Sequence, residues 1–223
     1  MRCGPKCLLC ESGYALVMAS SSPIDASRAE RRARDREFTR TAILAAARQV
    51  AAREGAGNLS LRAVAAEAGF APAALYGYFA NKNELLIALA AEDLGAVARG
   101  LRELRGEAPA LGLAAGVVVD MLRCSETMAA GAAALPSAGG TTDAERLFNG
   151  RLIAALRALS EACGTPYDSR WGQSDVVLIA AALTGVAVLA RSGRLQALGF
   201  SPAELIGALD RRFAAGTHPV KAP

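Results

Sequence analysis

Histidine is almost absent from this chain of 223 residues, which contains only His218, close to the C-terminus. A Ser/His/Asp or Cys/His site and a HExxH metal helix all need a well-placed imidazole, so this chemistry is nearly excluded. The 22 glycines never fall into GxGxxG or GxxxxGK[ST], which leaves no motif for a dinucleotide or a nucleotide phosphate. We therefore expect no enzyme, no cofactor and no metal.

Aromatic residues are also scarce, at 5% of a chain that is 52% hydrophobic. No stretch alternates long enough with period two to predict a strand, and the abundant alanine favours helices. The longest nearly apolar run, residues 176–190, is shorter than the ~20 residues that span a bilayer, so we expect a buried helix and no membrane association. Five cysteines without regular spacing fit a reducing compartment. The sequence predicts an all-α, cytoplasmic protein.

Positive charge is concentrated in the N-terminal third of the chain. Residues 28–86 hold ten Arg and Lys against six Asp and Glu, which accounts for the whole net charge of +4. Arg36 and Arg40 belong to a basic run over residues 28–40. A solvated helix start is the ordinary interpretation of such a run. The alternative is a flexible basic arm that enters a DNA minor groove.

Three helices are predicted directly after this run. Apolar residues at three- and four-residue spacing indicate a helix over residues 37–54. Ser60 is expected to cap a second helix over 61–68, and Pro72 suits the first turn of a third over 72–79. This order, with a glycine turn before the third helix, is the helix-turn-helix arrangement of DNA-binding proteins, whose last helix enters the major groove.

Groups that can bind phosphate surround the third predicted helix. Ser60 and Arg62 lie at the start of the second helix and Lys82 at the start of a fourth, capped by Asn81. At these positions a hydroxyl or a cation adds to the unpaired N–H groups of a helix N-terminus. Each of them alone could be an ordinary surface residue.

The residues expected to face the bases carry no hydrogen-bonding side chain. They are Ala71, Pro72, Ala73 and Ala74. Sequence selectivity would then depend on methyl contacts, Tyr76, water, the basic arm and DNA shape. Gly77, between Tyr76 and Tyr78, would allow a close approach to the DNA backbone.

The segment 59–86 resembles the DNA-binding domain of the TetR family of bacterial transcriptional regulators. The matching features are Ala68–Gly69, Leu75–Tyr76, Tyr78–Phe79, and Lys82 followed by Glu84–Leu85–Leu86. The resemblance implies that Tyr76 and Tyr78 contact DNA phosphates. The chain departs from the family where bases are read, since the family usually has polar residues at the positions of Ala71 and Pro72.

A single helix-turn-helix unit makes too few contacts for tight binding, so we expect a homodimer on a double-stranded DNA operator. The last two long predicted helices, 174–191 and 201–213, carry more apolar surface than one small domain easily hides. The interface is expected there, and a charge at Leu183 is expected to give monomers. An internal core helix is the alternative for residues 176–190.

The family resemblance also implies a cavity for a small, largely apolar effector. The residues expected to line it are Met121, Cys124, Met128, Phe148, Leu152, Tyr167, Trp171 and Leu178. Ordinary core packing is the alternative for each of them. Cys124 and Cys163 are expected to be buried.

Together these features predict a ligand-responsive transcriptional regulator, a repressor released from its operator by the effector. The predicted parts are a flexible leader and basic arm (1–36), a DNA-binding domain (37–86), a ligand-binding and dimerisation domain (87–214) and a loose tail (215–223). The alternative function is a redox or metal sensor that uses Cys3, Cys7 and Cys10. Those cysteines lie in residues 1–17, which we interpret as a disordered or non-native leader.

Overall fold

The computed structural model describes residues 23–104, 110–135 and 142–214, and every regular element in these ranges is a helix. The helices are α1 (Pro23–Glu54), α2 (Leu61–Ala68), α3 (Pro72–Leu75), α4 (Lys82–Glu103), α5 (Leu111–Cys124), α6 (Met128–Ala134), α7 (Asp143–Cys163), α8 (Arg170–Arg191), α9 (Arg194–Ala197) and α10 (Pro202–Ala214). The all-α class is confirmed. The chain divides into two compact units, Met1–Ala42 and Ile43–Pro223.

The first unit is described from Pro23, where α1 begins, well before the expected start at residue 37. Proline suits a helix start because its missing N–H would have no partner there. The hydroxyls of Thr39 and Thr41 each donate to a carbonyl four residues back, at 2.9 Å. The arm that the sequence predicted as flexible is therefore helical over its described part.

The second unit opens with the helix-turn-helix segment. Ser60 caps α2 as expected, since its Oγ accepts the Ala63 N–H at 3.2 Å. The helix ends at Gly69, whose φ of 73° lies in the left-handed region that glycine adopts without strain. The third helix is shorter than expected, because the N–H groups of Gly77 and Tyr78 bond three residues back in a tighter turn. The three-helix arrangement is confirmed, and the length of its last helix is corrected.

Leu75 and Phe79 hold α3 and the following turn in place. Both side chains are fully buried and belong to one apolar cluster with Ile43 and Val50 of α1 and Val64 of α2. Burying a large apolar side chain contributes roughly 1.5–3 kcal/mol. The backbone between Leu75 and Phe79 is thus fixed from its inner side, and its outer side faces solvent.

The central helix of the second unit is α4, which packs against α5, α6 and α7. Asn81 caps it as expected by accepting the Glu84 N–H at 2.9 Å. At Gly131 of α6, an added Cβ would overlap the Leu86 carbonyl and the Ala90 side chain. Only glycine lets α6 lie this close to α4.

Capping side chains also begin α7 and α10. Thr142 forms a capping box with Glu145, and Ser201 exchanges hydrogen bonds with Glu204 before α10. The sequence predicts a helix that starts at residue 174, whereas α8 begins earlier, at Arg170. Ser169 caps it by accepting the Gly172 N–H at 3.1 Å, and Ser174 donates to the Arg170 carbonyl inside the helix.

One face of α8 is buried and the opposite face is not. The helix has 22 residues, so by length and composition it could cross a membrane, and only 22% of its most apolar window is buried. The expectation of a buried helix is therefore wrong for most of its surface. The side chains on the buried face are those of Val176, Ile179, Leu183 and Ala187. Leu183 is 0% exposed within one chain, so its assignment to a dimer interface is also wrong.

Candidate DNA-binding surface and ligand cavities

The third helix and its turn present a nearly apolar outer surface. Ala71 to Ala74 and Gly77 are exposed, and Tyr76 is 61% exposed. Ala71 makes no side-chain cap, so the N-terminus of α3 is open to solvent. This surface can offer methyl groups, backbone N–H groups and one phenol.

The polar residues expected beside this helix lie at two neighbouring helix starts. Ser60 is occupied as the cap of α2, and Arg62 is exposed in the first turn of the same helix. The Lys82 ammonium donates to the Gly57 carbonyl in the loop before α2. That hydrogen bond connects the start of α4 to the loop that precedes α2.

The other expected DNA-binding residues are placed as follows. Tyr78 is half-buried and packs against the apolar cluster, unlike Tyr76. In the first unit, Arg36 is exposed and Arg40 is half-buried.

Asp93, in the middle of α4, is a polar side chain that is only 8% exposed and has several hydrogen-bond partners. Its Oδ2 accepts hydrogen bonds from the hydroxyls of Ser125 and Thr127, both at 2.6 Å, and its Oδ1 accepts one from Arg48 of α1. Because buried polar groups without partners are costly, these donors must stay in place around the carboxylate. We call Asp93, Arg48, Ser125 and Thr127 the Asp93 junction.

Arg48 connects the Asp93 junction to the DNA-binding segment. Its guanidinium also donates to Glu92 at 3.1 Å. Burial alone would lower the pKa of Arg48, but the hydrogen bonds and charges of Asp93 and Glu92 raise it above its ordinary value. Arg48 therefore stays charged, and its ion pairs with Asp93 and Glu92 join helix α1 to α4.

Three cavities lie along α4. The α8 cavity, of about 220 Å³, is lined by Leu94, Leu122, Met128, Ala129, Ala132, Phe148, Leu152, Thr184, Ala187, Val188 and Arg191. The inner cavity, of about 70 Å³, shares Leu94, Leu122, Leu152 and Thr184 with it and continues between α5, α7 and α8. The α1 cavity, of about 460 Å³, is lined by Arg48, Asp93, Ala96, Val97, Asp120, Met121, Leu122, Cys124 and Ser125. Leu122 lines all three.

The expected effector-binding residues do not form one group. Met128, Phe148 and Leu152 come together in the α8 cavity, whereas Met121 and Cys124 line the α1 cavity. The remaining three line none of these cavities: Tyr167 is half-buried, and Trp171 and Leu178 are exposed on α8.

Sequence reasoning missed Asp93, Arg48 and Arg191. Asp93 and Glu92 interrupt an otherwise apolar stretch of α4, which is a signal that could have been used. Arg48 lies between Ala47 and Val50, two residues of the buried face of α1, and this position was a second signal. Arg191 looks like an ordinary cation at a helix C-terminus.

The family comparison agrees with this geometry. Residues 43–89 match the family model described as bacterial regulatory proteins, tetR family. The matched range runs from the buried Ile43 of α1 through the third helix into α4. This segment is a tetR-family helix-turn-helix.

Solved structures extend the likeness in fold to about four fifths of the chain. A TetR transcriptional regulator from Rhodococcus sp. RHA1 is 18% identical with a TM-score of 0.60, covering 83% of this chain and 99% of its own. A TetR-family regulator from Streptomyces coelicolor is 21% identical with a TM-score of 0.55, covering 79% and 96%. FadR from Bacillus subtilis, solved in complex with stearoyl-CoA, is 19% identical with a TM-score of 0.53, covering 80% and 99%. Among curated proteins, none matches the chain significantly.

The tetR-family segment accounts for DNA binding without the N-terminal cysteines. Cys3, Cys7 and Cys10 lie outside the described residues, and residues 23–104, 110–135 and 142–214 contain no group of metal-ligating side chains. The alternative of a redox or metal sensor therefore has no support in the described part of the chain.

The two described cysteines differ in environment. Cys124 is exposed, so the expectation that it is buried is wrong, while Cys163 is half-buried as part of the apolar packing. Burial, with a smaller effect of the Asp210 charge, raises the pKa of the Cys163 thiol to about 12. Because the thiolate is the reactive form, Cys163 should react slowly at neutral pH.

We predict that a thiol-specific disulfide reagent labels Cys124 and not Cys163 at pH 8, in a chain whose Cys3, Cys7 and Cys10 are replaced by serine. The Cys163 rate should rise about tenfold per pH unit from pH 8 to 10, because only a small thiolate fraction is present below its raised pKa. Cys124→Ser and Cys163→Ser variants assign the two rates by absorbance. Equal labelling of both thiols at pH 8 would contradict the assignment.

Proposed function

We propose that this chain is a homodimeric, cytoplasmic repressor that leaves its DNA operator when a small, largely apolar effector occupies the cavities along α4. The proposal rests on the position of helix α4, which belongs to both the DNA-binding segment and the cavity walls. This helix begins at Lys82 in the DNA-binding segment and contributes residues to all three cavities. The chain then acts through binding alone and not as an enzyme.

DNA binding divides into a part that holds phosphates and a part that meets bases. Lys82 and Arg62 provide cations near helix N-termini, where backbone N–H groups add to their attraction for phosphate. The third helix enters the major groove with methyl groups and the exposed Tyr76, so base selection depends on thymine methyl contacts, water and DNA shape. Arg36 and Arg40 supply further phosphate contacts from the first unit.

Effector binding can reach the DNA-binding segment through the Asp93 junction. The α5–α6 connection supplies Ser125 and Thr127 to Asp93, and it separates Leu122 from Met128, which both line the α8 cavity. An effector that moves this connection changes the hydrogen bonds of Asp93 and therefore the position of Arg48. Release from the operator requires only that the effector bind the altered arrangement more tightly.

The cavity walls indicate the chemistry of the effector. Most lining side chains of the α8 and inner cavities are apolar, and such walls bind apolar surface by excluding water. FadR from Bacillus subtilis, which shares this fold, was solved with stearoyl-CoA. We propose that the effector of this chain likewise places an apolar group between α4, α7 and α8.

The exposed face of α8 provides the dimer interface. Val177, Leu178 and Val188 are each about half exposed, and the small residues Ala181 and Gly185 lie between them on the same side. A monomer rarely exposes such an apolar strip on one helix. A second copy that packs its own α8 and α10 against this face forms a four-helix bundle and places two helix-turn-helix segments on one operator.

We predict that in-vitro selection of random duplexes yields a palindromic site, and that Lys82→Gln weakens binding to every duplex. Glutamine can still donate to the Gly57 carbonyl, so the variant removes charge and keeps the hydrogen bond. The slope of log affinity against log salt should become shallower by about one per bound monomer, since one phosphate contact is lost. The measurement is fluorescence anisotropy over a salt series.

The matched control is Arg194→Gln, which removes the same charge from the exposed start of α9. Its slope should equal that of the unmodified chain. An unchanged slope for Lys82→Gln would remove Lys82 from the phosphate contacts, and failure to select any duplex at low salt would refute the proposed function.

We predict that Leu178→Glu gives folded monomers. Leu178 is 59% exposed in one chain, so the carboxylate disturbs no internal packing, but in the dimer it would be buried without a partner. Sedimentation velocity should show a monomer, and the helical circular dichroism should not change.

The control is Leu113→Glu, at a similarly exposed leucine of α5, which should remain a dimer. If Leu178→Glu sediments as a dimer with wild-type affinity, the interface lies elsewhere.

A further inference from the structure

Arg191 combines a charged group with an apolar cavity. It occupies the last turn of α8, and its side chain lines the α8 cavity at the solvent edge. Its Nη1 donates to the backbone carbonyl of Ser125 at 2.5 Å. This bond uses one of the five N–H donors of a guanidinium.

No acidic side chain neutralises Arg191 within the described ranges. The ion pairs of Arg48, Arg53, Arg123 and Arg146 within those ranges use carboxylates that do not contact Arg191. Thr184 is the other polar residue of the α8 cavity wall, and its hydroxyl donates to the Ala180 carbonyl at 2.8 Å. Arg191 is therefore the wall residue that has hydrogen-bond donors to offer a ligand.

An uncharged apolar ligand would offer no hydrogen-bond acceptor to the N–H groups of Arg191. Filling the cavity with it would remove water from the cavity side of the guanidinium, although its outer side faces solvent, without replacing those hydrogen bonds, which costs free energy. A ligand with a terminal anion would replace them with charge-assisted bonds, for which the planar guanidinium is well suited to carboxylates and phosphates. The cavity thus favours a ligand that is apolar along its body and anionic at one end.

The α8 cavity and the inner cavity adjoin, since they share four lining residues, and together they set the shape of the apolar part. Arg191 lines the α8 cavity and Ala180 lines the inner cavity, eleven residues earlier on the same helix. A helix rises 1.5 Å per residue, so these positions are ~16 Å apart along α8. A fully extended chain advances roughly 3.5 Å for every three bonds, so about fourteen bonds, which is about a dozen carbons together with an anionic head group, cover that distance.

We infer that the effector is an unbranched amphiphile of about a dozen carbons whose terminal anionic group, a carboxylate or a phosphate, binds Arg191. The inference rests on the proposed ligand response and specifies its ligand class. The apolar chain runs from the α8 cavity past Leu122 and Leu152 into the inner cavity. The anionic end competes with the Ser125 carbonyl for Arg191, and the same Ser125 donates to Asp93.

The test is a calorimetric titration of the full chain, without DNA, with dodecanoate, monododecyl phosphate and dodecan-1-ol below their aggregation concentrations. One or both anions should bind at least tenfold more tightly than the alcohol, consistent with a hydrogen-bonded charge pair. The stronger of the two anions identifies the head group.

Arg191→Gln should weaken binding of the preferred anion about tenfold and leave dodecan-1-ol within twofold, because glutamine is polar but has no charge to pair with the anion. Arg194→Gln, three residues further along and outside the cavity wall, should bind both ligands as the unmodified chain does. Equal affinity for anion and alcohol, an equal loss of both in Arg191→Gln, or no binding of either anion would overturn the inference.

These outcomes are separable from those of the proposed function. If the chain binds an anion through Arg191 but selects no duplex, the ligand site is supported and the proposed repressor function is refuted. If the chain selects a duplex but binds anion and alcohol equally, the repressor function is supported and the inferred ligand class is refuted.

Discussion

The buried carboxylate of Asp93 needs hydrogen-bond donors, although it lies among apolar side chains between packed helices. The rest of the arrangement depends on this constraint. The carboxylate lies on α4 among buried alanines and leucines, and it takes its partners from two other places in the chain, Arg48 of α1 and the α5–α6 connection. Each partner is fixed by a different element. The carboxylate is satisfied only when the DNA-binding segment and the cavity wall are both in their present positions relative to α4.

This constraint connects the two binding functions that we propose for the chain. The tetR-family segment is too small to bury its own helices fully, and α4 completes its core at one end while forming the cavity wall further along. If α4 were only a rigid helix, its DNA-binding end and its cavity end would move together whichever ligand was bound. The Asp93 junction adds hydrogen bonds that the proposed effector can break at Ser125 and Thr127. Breaking them changes the position of Arg48 on the other side of Asp93.

Much of the fold could be predicted because its signals are local. The caps at Ser60, Asn81, Thr142 and Ser201 depend on residues three or four positions away, and the glycine at 69 is required by the backbone alone. The start of α8 was misplaced because Ser169 and Ser174 have similar local contexts. The burial of Leu183 depends on α5 and α7, which sequence periodicity does not locate.

The candidate site was less predictable for the same reason. The third helix and its flanking cations follow from the family motif, whereas the effector-binding residues were selected by type, which cannot assign Met121 and Met128 to different cavities. Arg191 and Ser125 are 66 residues apart, and only the packing of α8 against the α5–α6 connection brings them together. Long-range polar partners of this kind are decided by tertiary packing.

Amide hydrogen exchange in the Asp93→Asn variant tests the Asp93 junction most directly. Asp120→Asn is the matched control, because it also changes one carboxylate of the α1 cavity to its amide, but at an exposed residue. The account predicts at least tenfold faster exchange in residues 61–79 for Asp93→Asn alone, because charge-assisted bonds to Arg48 are lost, with unchanged exchange in α10. Exchange in residues 61–79 that equals that of the unmodified chain, or that rises equally throughout the molecule, would contradict it.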